Sequence, residues 1–137
     1  MSDVLLIDDE PDGRDALAAF LSRAGHVVRC AGNCREALAA LGERVPDAIF
    51  LDMRMPDVDG MAVLQVIRSY LRWATVPVAI LTAYPEDPRL WHVAEHGVTG
   101  VYAKAKVNLD ELLEWVNEQA KRAAPPPDSD PPAMNCP

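Results

Sequence analysis

Three short runs of uniformly apolar residues constrain the fold of this chain most strongly. They are Val4–Ile7, Ala48–Leu51 and Val78–Leu81. Each run has the length of a strand, and a strand without alternating polar residues is typical of one buried on both faces of a parallel sheet. The residues that directly follow the runs are polar: Asp8 with Asp9, then Asp52, then Thr82.

Between the runs, apolar residues recur at helical spacing, and glycines or capping residues mark the ends of the segments. Two of these segments begin with a capping-box pattern, in which Asn33 is followed by Glu36 and Asn108 by Glu111. Helices are predicted from Asp12 to Gly25, from Asn33 to Gly42, from just past Gly60 through Leu71, from Asp87 to Gly97, and from Asn108 through Val116. In the third of these helices, Leu64, Ile67 and Leu71 form one apolar stripe.

Two further strands, Val27–Ala31 and Val98–Ala103, are less apolar. Five strands that alternate with five helices predict an α/β fold with a parallel sheet and helices on both of its faces. The three uniformly apolar strands belong in the centre and the two weaker strands at the edges. The strand order 2-1-3-4-5 of the flavodoxin-like proteins meets this requirement.

Length and composition narrow the possible functions. The 137 residues suit one domain, and the net charge of -8 argues against direct binding to nucleic acid. No apolar run reaches the roughly 20 residues of a membrane span. Three cysteines without metal-ligand spacing favour a reducing compartment, so we expect a cytoplasmic protein.

The C-terminal residues have a different composition from the rest of the chain. Residues 123–137 hold half of the chain's 12 prolines and almost no bulky apolar side chains. Such a composition is typical of a disordered or extended segment. We therefore expect a domain over residues 1–122, followed by a proline-rich tail or a truncated linker over 123–137.

The predicted sheet brings five polar side chains to one crevice at the carboxyl ends of its strands: Asp8, Asp9, Asp52, Thr82 and Lys104. Two carboxylates about 4 Å apart repel each other by roughly 4 kcal/mol at an effective dielectric constant near 20, so three acids need a cation. Oxygen ligands of this kind suit Mg²⁺. A hydroxyl and an ammonium group suit phosphate oxygens, and Asp52 is then placed as a nucleophile.

Four motifs make the chain similar to the response-regulator receiver domains over about residues 2–122. They are Ile-Asp-Asp-Glu at 7–10, Leu-Asp-Met-Arg-Met-Pro-Asp-Val-Asp-Gly at 51–60, Leu-Thr-Ala at 81–83, and Lys104. The resemblance implies that Asp52 is phosphorylated from the phosphohistidine of a histidine kinase or phosphotransfer protein. It also implies that phosphorylation changes the affinity for a downstream protein.

The same resemblance implies roles for the other site residues. Asp9 and Asp52 would touch Mg²⁺ directly, Asp8 would act mainly through bound water, and the backbone carbonyl of Arg54 would be a further ligand. Thr82 would bind the phosphoryl group and Lys104 would pair with it. Lys106 is a rival for the lysine position, but the spacing from Gly97 favours Lys104.

Two positions depart from the family pattern. The aromatic switch residue expected three positions before the lysine is replaced by Val101, and the adjacent Tyr102 should point to the opposite face of the strand. The proline that commonly follows the lysine is replaced by Ala105. A switch would then involve Thr82 together with Val101 or Tyr102.

Several other residues allow a functional and a structural interpretation. Trp91, Trp115 and Tyr102 mark either a partner surface on the fourth helix, fifth strand and fifth helix, or internal packing. For His92 and His96, an exposed helix surface is favoured over a shared metal, because no third ligand lies nearby in sequence. Cys30 and Cys34 are expected to be buried small apolar residues.

The sequence is compatible with three hypotheses for the function of this chain. The first is a phosphoacceptor signalling domain that is not an enzyme apart from its own phosphotransfer and slow dephosphorylation. The second is a receiver-like interaction module that is independent of phosphorylation, suggested by Val101 and Ala105. The third is a Mg²⁺-dependent phosphohydrolase, which is disfavoured because Arg54 stands where enzymes of the haloacid dehalogenase type require a second aspartate.

Overall fold

The computed structural model describes residues 2–53 and 60–123. Five strands alternate with helices along the chain, and the fourth helical segment is a 3₁₀ helix that we call η1. The elements are β1 (Asp3–Ile7), α1 (Pro11–Arg23), β2 (Val27–Ala31), α2 (Cys34–Glu43), β3 (Ala48–Asp52), α3 (Gly60–Ser69), β4 (Val78–Thr82), η1 (Pro88–His96), β5 (Val98–Ala103) and α4 (Leu109–Ala123).

All strand pairs are parallel and the strand order is β2-β1-β3-β4-β5, which confirms the predicted fold and order. The register sets the carboxyl ends of neighbouring strands side by side. Asp52 of β3 pairs with Leu81 of β4, and Thr82 pairs with Ala103 of β5. The polar residues that end the central strands therefore meet at one edge of the sheet.

Two apolar clusters cover the two faces of the sheet. In β1, Leu5 and Ile7 belong to the cluster that also contains residues of α2, α3 and η1, whereas Val4 and Leu6 belong to the cluster with residues of α1 and α4. Every residue of β3 and β4 is buried. The uniformly apolar runs are thus explained by burial on both faces.

The capping residues predicted from the sequence are confirmed. Asn33 accepts a hydrogen bond from the Glu36 N–H at 2.8 Å at the start of α2. At the start of α4, Asn108 accepts from the Glu111 N–H at 2.9 Å, and the Glu111 carboxylate accepts from the Asn108 N–H at 3.1 Å. These bonds satisfy amide groups that have no partner within the helix.

For the fourth helix, the sequence prediction did not distinguish an α helix from a 3₁₀ helix, and the structure shows a 3₁₀ helix. Val93 is buried and Leu90 is partly buried, three positions apart, which matches the repeat of three residues per turn. Gly97 follows with φ +77°, a conformation that favours glycine. The predicted terminator of this segment is therefore confirmed.

Two predictions about apolar residues are wrong. Leu71 is 96% exposed, because α3 ends at Ser69, whose hydroxyl donates to the Gln65 and Val66 carbonyls, and the chain turns beyond it. Cys30 is exposed rather than buried, because it lies on the edge strand β2, where Ala31 is the one buried residue. Cys34 is partly buried against the core.

The boundary of α2 also differs slightly from the prediction, since Gly42 lies within the helix and the last helical residue is Glu43. None of the helices within residues 2–53 and 60–123 combines the length and the apolar character needed to cross a membrane. Apart from Ala123, the predicted proline-rich tail lies outside the described residues.

Candidate functional site

The carboxyl edge of the sheet collects the side chains of an acidic site. Asp52 is the last residue of β3 and Thr82 the last residue of β4, while Asp8 follows β1 and Lys104 follows β5. One carboxylate oxygen from each of Asp8, Asp9 and Asp52 lies within 4.8 Å of the other two. The structure therefore brings the carboxylates of Asp8, Asp9 and Asp52 together with the Lys104 ammonium group, and it places Thr82 at the end of the neighbouring strand.

The three acids differ in their exposure to solvent. Asp8 is 7% exposed and Asp52 is 6% exposed, whereas Asp9 is exposed. Carboxylates removed from water at this separation repel each other more strongly than exposed ones. A cation is therefore required near Asp8 and Asp52.

Lys104 supplies a positive charge to both buried acids. Its Nζ lies 2.8 Å from Asp8 Oδ2 and 3.2 Å from Asp52 Oδ2. Burial by itself lowers the pKa of Lys104, but the hydrogen bond to Asp8 and the charges of Asp52 and Asp8 outweigh burial. The pKa is consequently raised above its ordinary value of 10.5, and the ammonium form is strongly favoured.

Thr82 is 1% exposed and its hydroxyl oxygen accepts a hydrogen bond from the Tyr84 N–H at 2.9 Å. This contact occupies a lone pair and leaves the hydroxyl hydrogen able to donate. The Lys104 N–H donates to the Thr82 carbonyl at 2.8 Å, which ties the two strand ends together. Thr82 and Lys104 are thus joined through their backbones at the ends of β4 and β5.

Gly60 is a site residue that sequence reasoning missed. A Cβ atom at this position would lie 2.6 Å from both the Asp52 carbonyl oxygen and the Met53 Cα, closer than real Cβ contacts allow. The Gly60 N–H donates to the Met53 carbonyl at 2.7 Å. This close approach requires glycine at position 60. The sequence feature that could have identified Gly60 is its position at the end of the acidic motif at 51–60.

The acidic cluster fits a hard divalent cation such as Mg²⁺, which prefers oxygen ligands and binds through one or two carboxylates. Asp8, Asp9 and Asp52 are the residues within the described ranges that would hold the ion. The predicted backbone ligand at Arg54 lies outside the described residues. The residues present therefore agree with the predicted cofactor.

The strand that carries the lysine follows the predicted register. Lys104 points into the site, and its rival Lys106 is exposed. Val101 is 45% exposed, whereas Tyr102 packs against the apolar cluster that contains residues of α1 and α4. This agrees with the prediction that adjacent residues of the strand point to opposite faces. No cis peptide bond occurs at Ala105 or elsewhere in the described residues.

The remaining aromatic residues divide into packing and surface groups. Trp115 is 4% exposed and its ring centroid lies 5.0 Å from that of Phe50, so it packs in the core. Trp91 is 77% exposed on η1. On the same helix, His92 pairs with Glu95 at 3.6 Å, and the metal-compatible cluster in residues 2–53 and 60–123 contains no histidine.

A family model, the response regulator receiver domain, matches residues 4–117. The chain belongs to this family. An uncharacterised 14.6 kDa protein from Leptolyngbya boryana is 32% identical over 127 residues, which is 93% of this chain and 95% of that protein. The receiver chain spans 23–52% of the length of seven other curated relatives, which are named as transcriptional regulators, regulatory proteins or response regulators.

Solved structures give the same result for the receiver fold. The receiver domain of the Francisella response regulator 1452 is 26% identical, with a TM-score of 0.81 over 90% of this chain and 100% of that one. The response regulator TrrA from Thermotoga maritima, solved in complex with Mg²⁺ and BeF, is 30% identical, with a TM-score of 0.72 over 87% of this chain and 99% of that one.

Proposed function

We propose that this receiver domain accepts a phosphoryl group on Asp52 from the phosphohistidine of a histidine kinase or phosphotransfer protein, with Mg²⁺ bound. The observation that carries the proposal is the placement of the Asp52 carboxylate beside Asp8, Asp9 and Lys104 at the end of β3. A nucleophilic carboxylate with a cation site and an ammonium group suits phosphoryl transfer better than any role in a turn.

In the proposed step, a carboxylate oxygen of Asp52 forms a bond to phosphorus while the bond from phosphorus to the donor's imidazole nitrogen breaks. The electron pair of the broken bond stays on that nitrogen, and Asp52 becomes an acyl phosphate. When bound, Mg²⁺ would supply positive charge that offsets the negative charge of the phosphoryl oxygens. Asp8, Asp9 and Asp52 would hold it, with the Arg54 carbonyl as a further proposed ligand.

Lys104 and Thr82 act on the phosphoryl oxygens. The ammonium group, 3.2 Å from Asp52 Oδ2, lies where it neutralises charge on the product. The Thr82 hydroxyl, whose oxygen already accepts from Tyr84, donates its hydrogen to a phosphoryl oxygen. These contacts exist only when the phosphoryl group is present, so they favour a different conformation of the β4 and β5 ends.

We further propose that this difference in conformation changes binding of a downstream protein at the face formed by η1, β5 and α4. The exposed side chains of Trp91 and Val101 on that face support the proposal. We propose that the switch involves Thr82 with Val101 or Tyr102 and that it differs from the family pattern, because Val101 stands at the aromatic position and Tyr102 packs on the other side of β5. Partner binding that ignores phosphorylation would instead favour the constitutive interaction module.

The domain is proposed to cover residues 1–122, with 123–137 as a tail or linker. We propose a signalling role without turnover of an external substrate, no direct contact with nucleic acid or membrane, and a cytoplasmic location. The exposed thiol of Cys30 suits a reducing compartment.

The test is incorporation of phosphate from a small phosphodonor, followed by intact-protein mass measurement with and without Mg²⁺. Wild-type protein should gain one phosphoryl group in a Mg²⁺-dependent reaction, and Asp52→Asn should gain none. Equal labelling of both proteins would overturn the assignment. Repeated turnover of a phosphate ester would point to the phosphohydrolase instead.

A further inference from the structure

Asp8 is held at all four of its polar groups. Its N–H donates to the Ala31 carbonyl at 3.0 Å, its Oδ1 accepts from the Glu10 N–H at 2.9 Å, and its Oδ2 lies 2.8 Å from Lys104 Nζ. The fourth group, the backbone carbonyl, accepts from Nη1 of Arg14 at 3.1 Å. A side chain of α1 thus reaches back to the end of β1.

The carbonyl of Asp8 belongs to the same planar peptide unit as the N–H and Cα of Asp9. Asp9 is exposed, and no hydrogen bond or ion pair joins its carboxylate to another residue in the described part of the chain. Its direction is therefore set by the backbone rather than by side-chain contacts. A group that fixes the orientation of the Asp8 carbonyl therefore also fixes the position of the Asp9 Cα, from which the carboxylate side chain extends.

We propose that Arg14 is a positioning residue of the acidic site, which orients the peptide between Asp8 and Asp9 so that Asp9 faces the metal position. Arg14 does not touch the reacting atoms. The inference rests on the proposed function, because it is that function which gives the acids their use as Mg²⁺ ligands.

Gly32 makes room for the guanidinium group. A Cβ atom at residue 32 would lie 2.9 Å from Arg14 Nη1, and the backbone of Gly32 has no positive φ that would itself require glycine. The Arg14 side chain is 20% exposed, and its buried Nε has no hydrogen-bond acceptor among the described residues, with Asp15 Oδ1 at 3.6 Å. Enclosure, rather than a full set of hydrogen bonds, holds the group in place.

The sign of the effect on Mg²⁺ affinity separates positioning from simple charge. Removing a positive charge near a cation site strengthens cation binding if electrostatics alone matters. Removing a residue that orients a metal ligand weakens binding, by about tenfold or more for groups that act through the ligands. The exposed Arg35 of α2 provides a control that loses the same charge without touching Asp8.

The experiment is to titrate the protein with Mg²⁺ by calorimetry, after circular dichroism has shown that each variant is folded. The proteins compared are wild type, Arg14→Ala, Arg14→Lys, Gly32→Ala, the Arg14→Ala/Gly32→Ala double variant and Arg35→Ala. We expect affinity to fall about tenfold in Arg14→Ala, to recover partly in Arg14→Lys, and to stay equal or rise in Arg35→Ala. Gly32→Ala should weaken binding in the wild-type background and have no further effect once Arg14 is absent.

Unchanged or tighter binding in Arg14→Ala overturns the inference, as does an equal effect of Gly32→Ala in both backgrounds. Hydrogen exchange of the Glu10 amide in metal-free protein provides a second readout, and it should accelerate in Arg14→Ala while the Leu64 amide of α3 does not change. Equal exchange at Glu10 in wild type and variant also contradicts the role of Arg14. If wild type bound no Mg²⁺, the proposed function would fail, and the exchange at Glu10 would still decide whether Arg14 holds this peptide.

Discussion

Substitution of Gly60 by alanine is expected to damage the site through the backbone of Asp52. The added Cβ would lie 2.6 Å from both the Asp52 carbonyl oxygen and the Met53 Cα, whereas ordinary contacts begin near 3.4 Å. Because both obstructing atoms belong to the backbone, the strand end or the start of α3 must move by nearly 1 Å. Overpacking of this kind costs about 1–3 kcal/mol.

That cost corresponds to a fall in Tm of roughly 3–12 °C for a domain of this size, measured by thermal unfolding. Displacement of a reacting group by about 1 Å lowers reaction rates by around 10²-fold, so the rate of Asp52 labelling should fall by more than stability alone explains. Gly42→Ala is the matched control, because its Cβ meets nothing within 4 Å and it lies inside α2. It should raise stability by about 0.5–1 kcal/mol.

A normal Tm together with normal labelling in Gly60→Ala would refute this reasoning. A loss of stability in Gly42→Ala equal to that in Gly60→Ala would also refute it, because the effect would then belong to glycine replacement in general.

Three further predictions concern single side chains. Arg68 donates to the backbone carbonyls of Trp73, in the turn after α3, and of His96 and Gly97 at the end of η1. Arg68→Ala should therefore cost about 2–4 kcal/mol in urea unfolding, whereas the exposed Arg72→Ala should cost almost nothing. Lys104→Met removes the ammonium group that lies beside the buried carboxylates of Asp8 and Asp52, and it should cost about 3–5 kcal/mol in urea unfolding. Added Mg²⁺ should recover part of this loss, and Lys106→Met is the neutral control. Burial and three nearby glutamates raise the pKa of Tyr102 above its ordinary value of 10.0. The neutral phenol therefore stabilises the fold below pH 10, and this contribution to the free energy of unfolding is lost as pH rises through the raised pKa. A Tyr102→Phe variant should lack this loss, and an identical dependence of stability on pH in both proteins would contradict the prediction.

The sequence predicted the sheet well because burial on both faces leaves a strong pattern. The uniformly apolar runs within β1, β3 and β4 identified the central strands, and the polar residue that follows each run identified the site edge. The parallel arrangement then placed Asp52, Thr82 and Lys104 together, although they lie far apart in sequence. These predictions depend on local patterns that the sheet converts into proximity.

Other features depend on contacts that no local pattern records. The approach of Gly60 to the Asp52 backbone and the reach of Arg14 over Gly32 arise from packing between elements. Cys30 was misplaced because the general tendency of cysteine toward burial does not distinguish an edge strand from a central one. Leu71 was misplaced because the helical apolar stripe continues in sequence past the residue at which α3 ends.

The chemistry at Asp52 can be located directly by treating the phosphorylated protein with borohydride, which reduces an aspartyl phosphate to homoserine, and then mapping the modified peptide by mass spectrometry. The proposed phosphorylation of Asp52 predicts homoserine at residue 52, and only in samples that contained Mg²⁺ during phosphorylation. Homoserine at Asp8 or Asp9 instead, or modification of residue 52 that is independent of Mg²⁺, would contradict it.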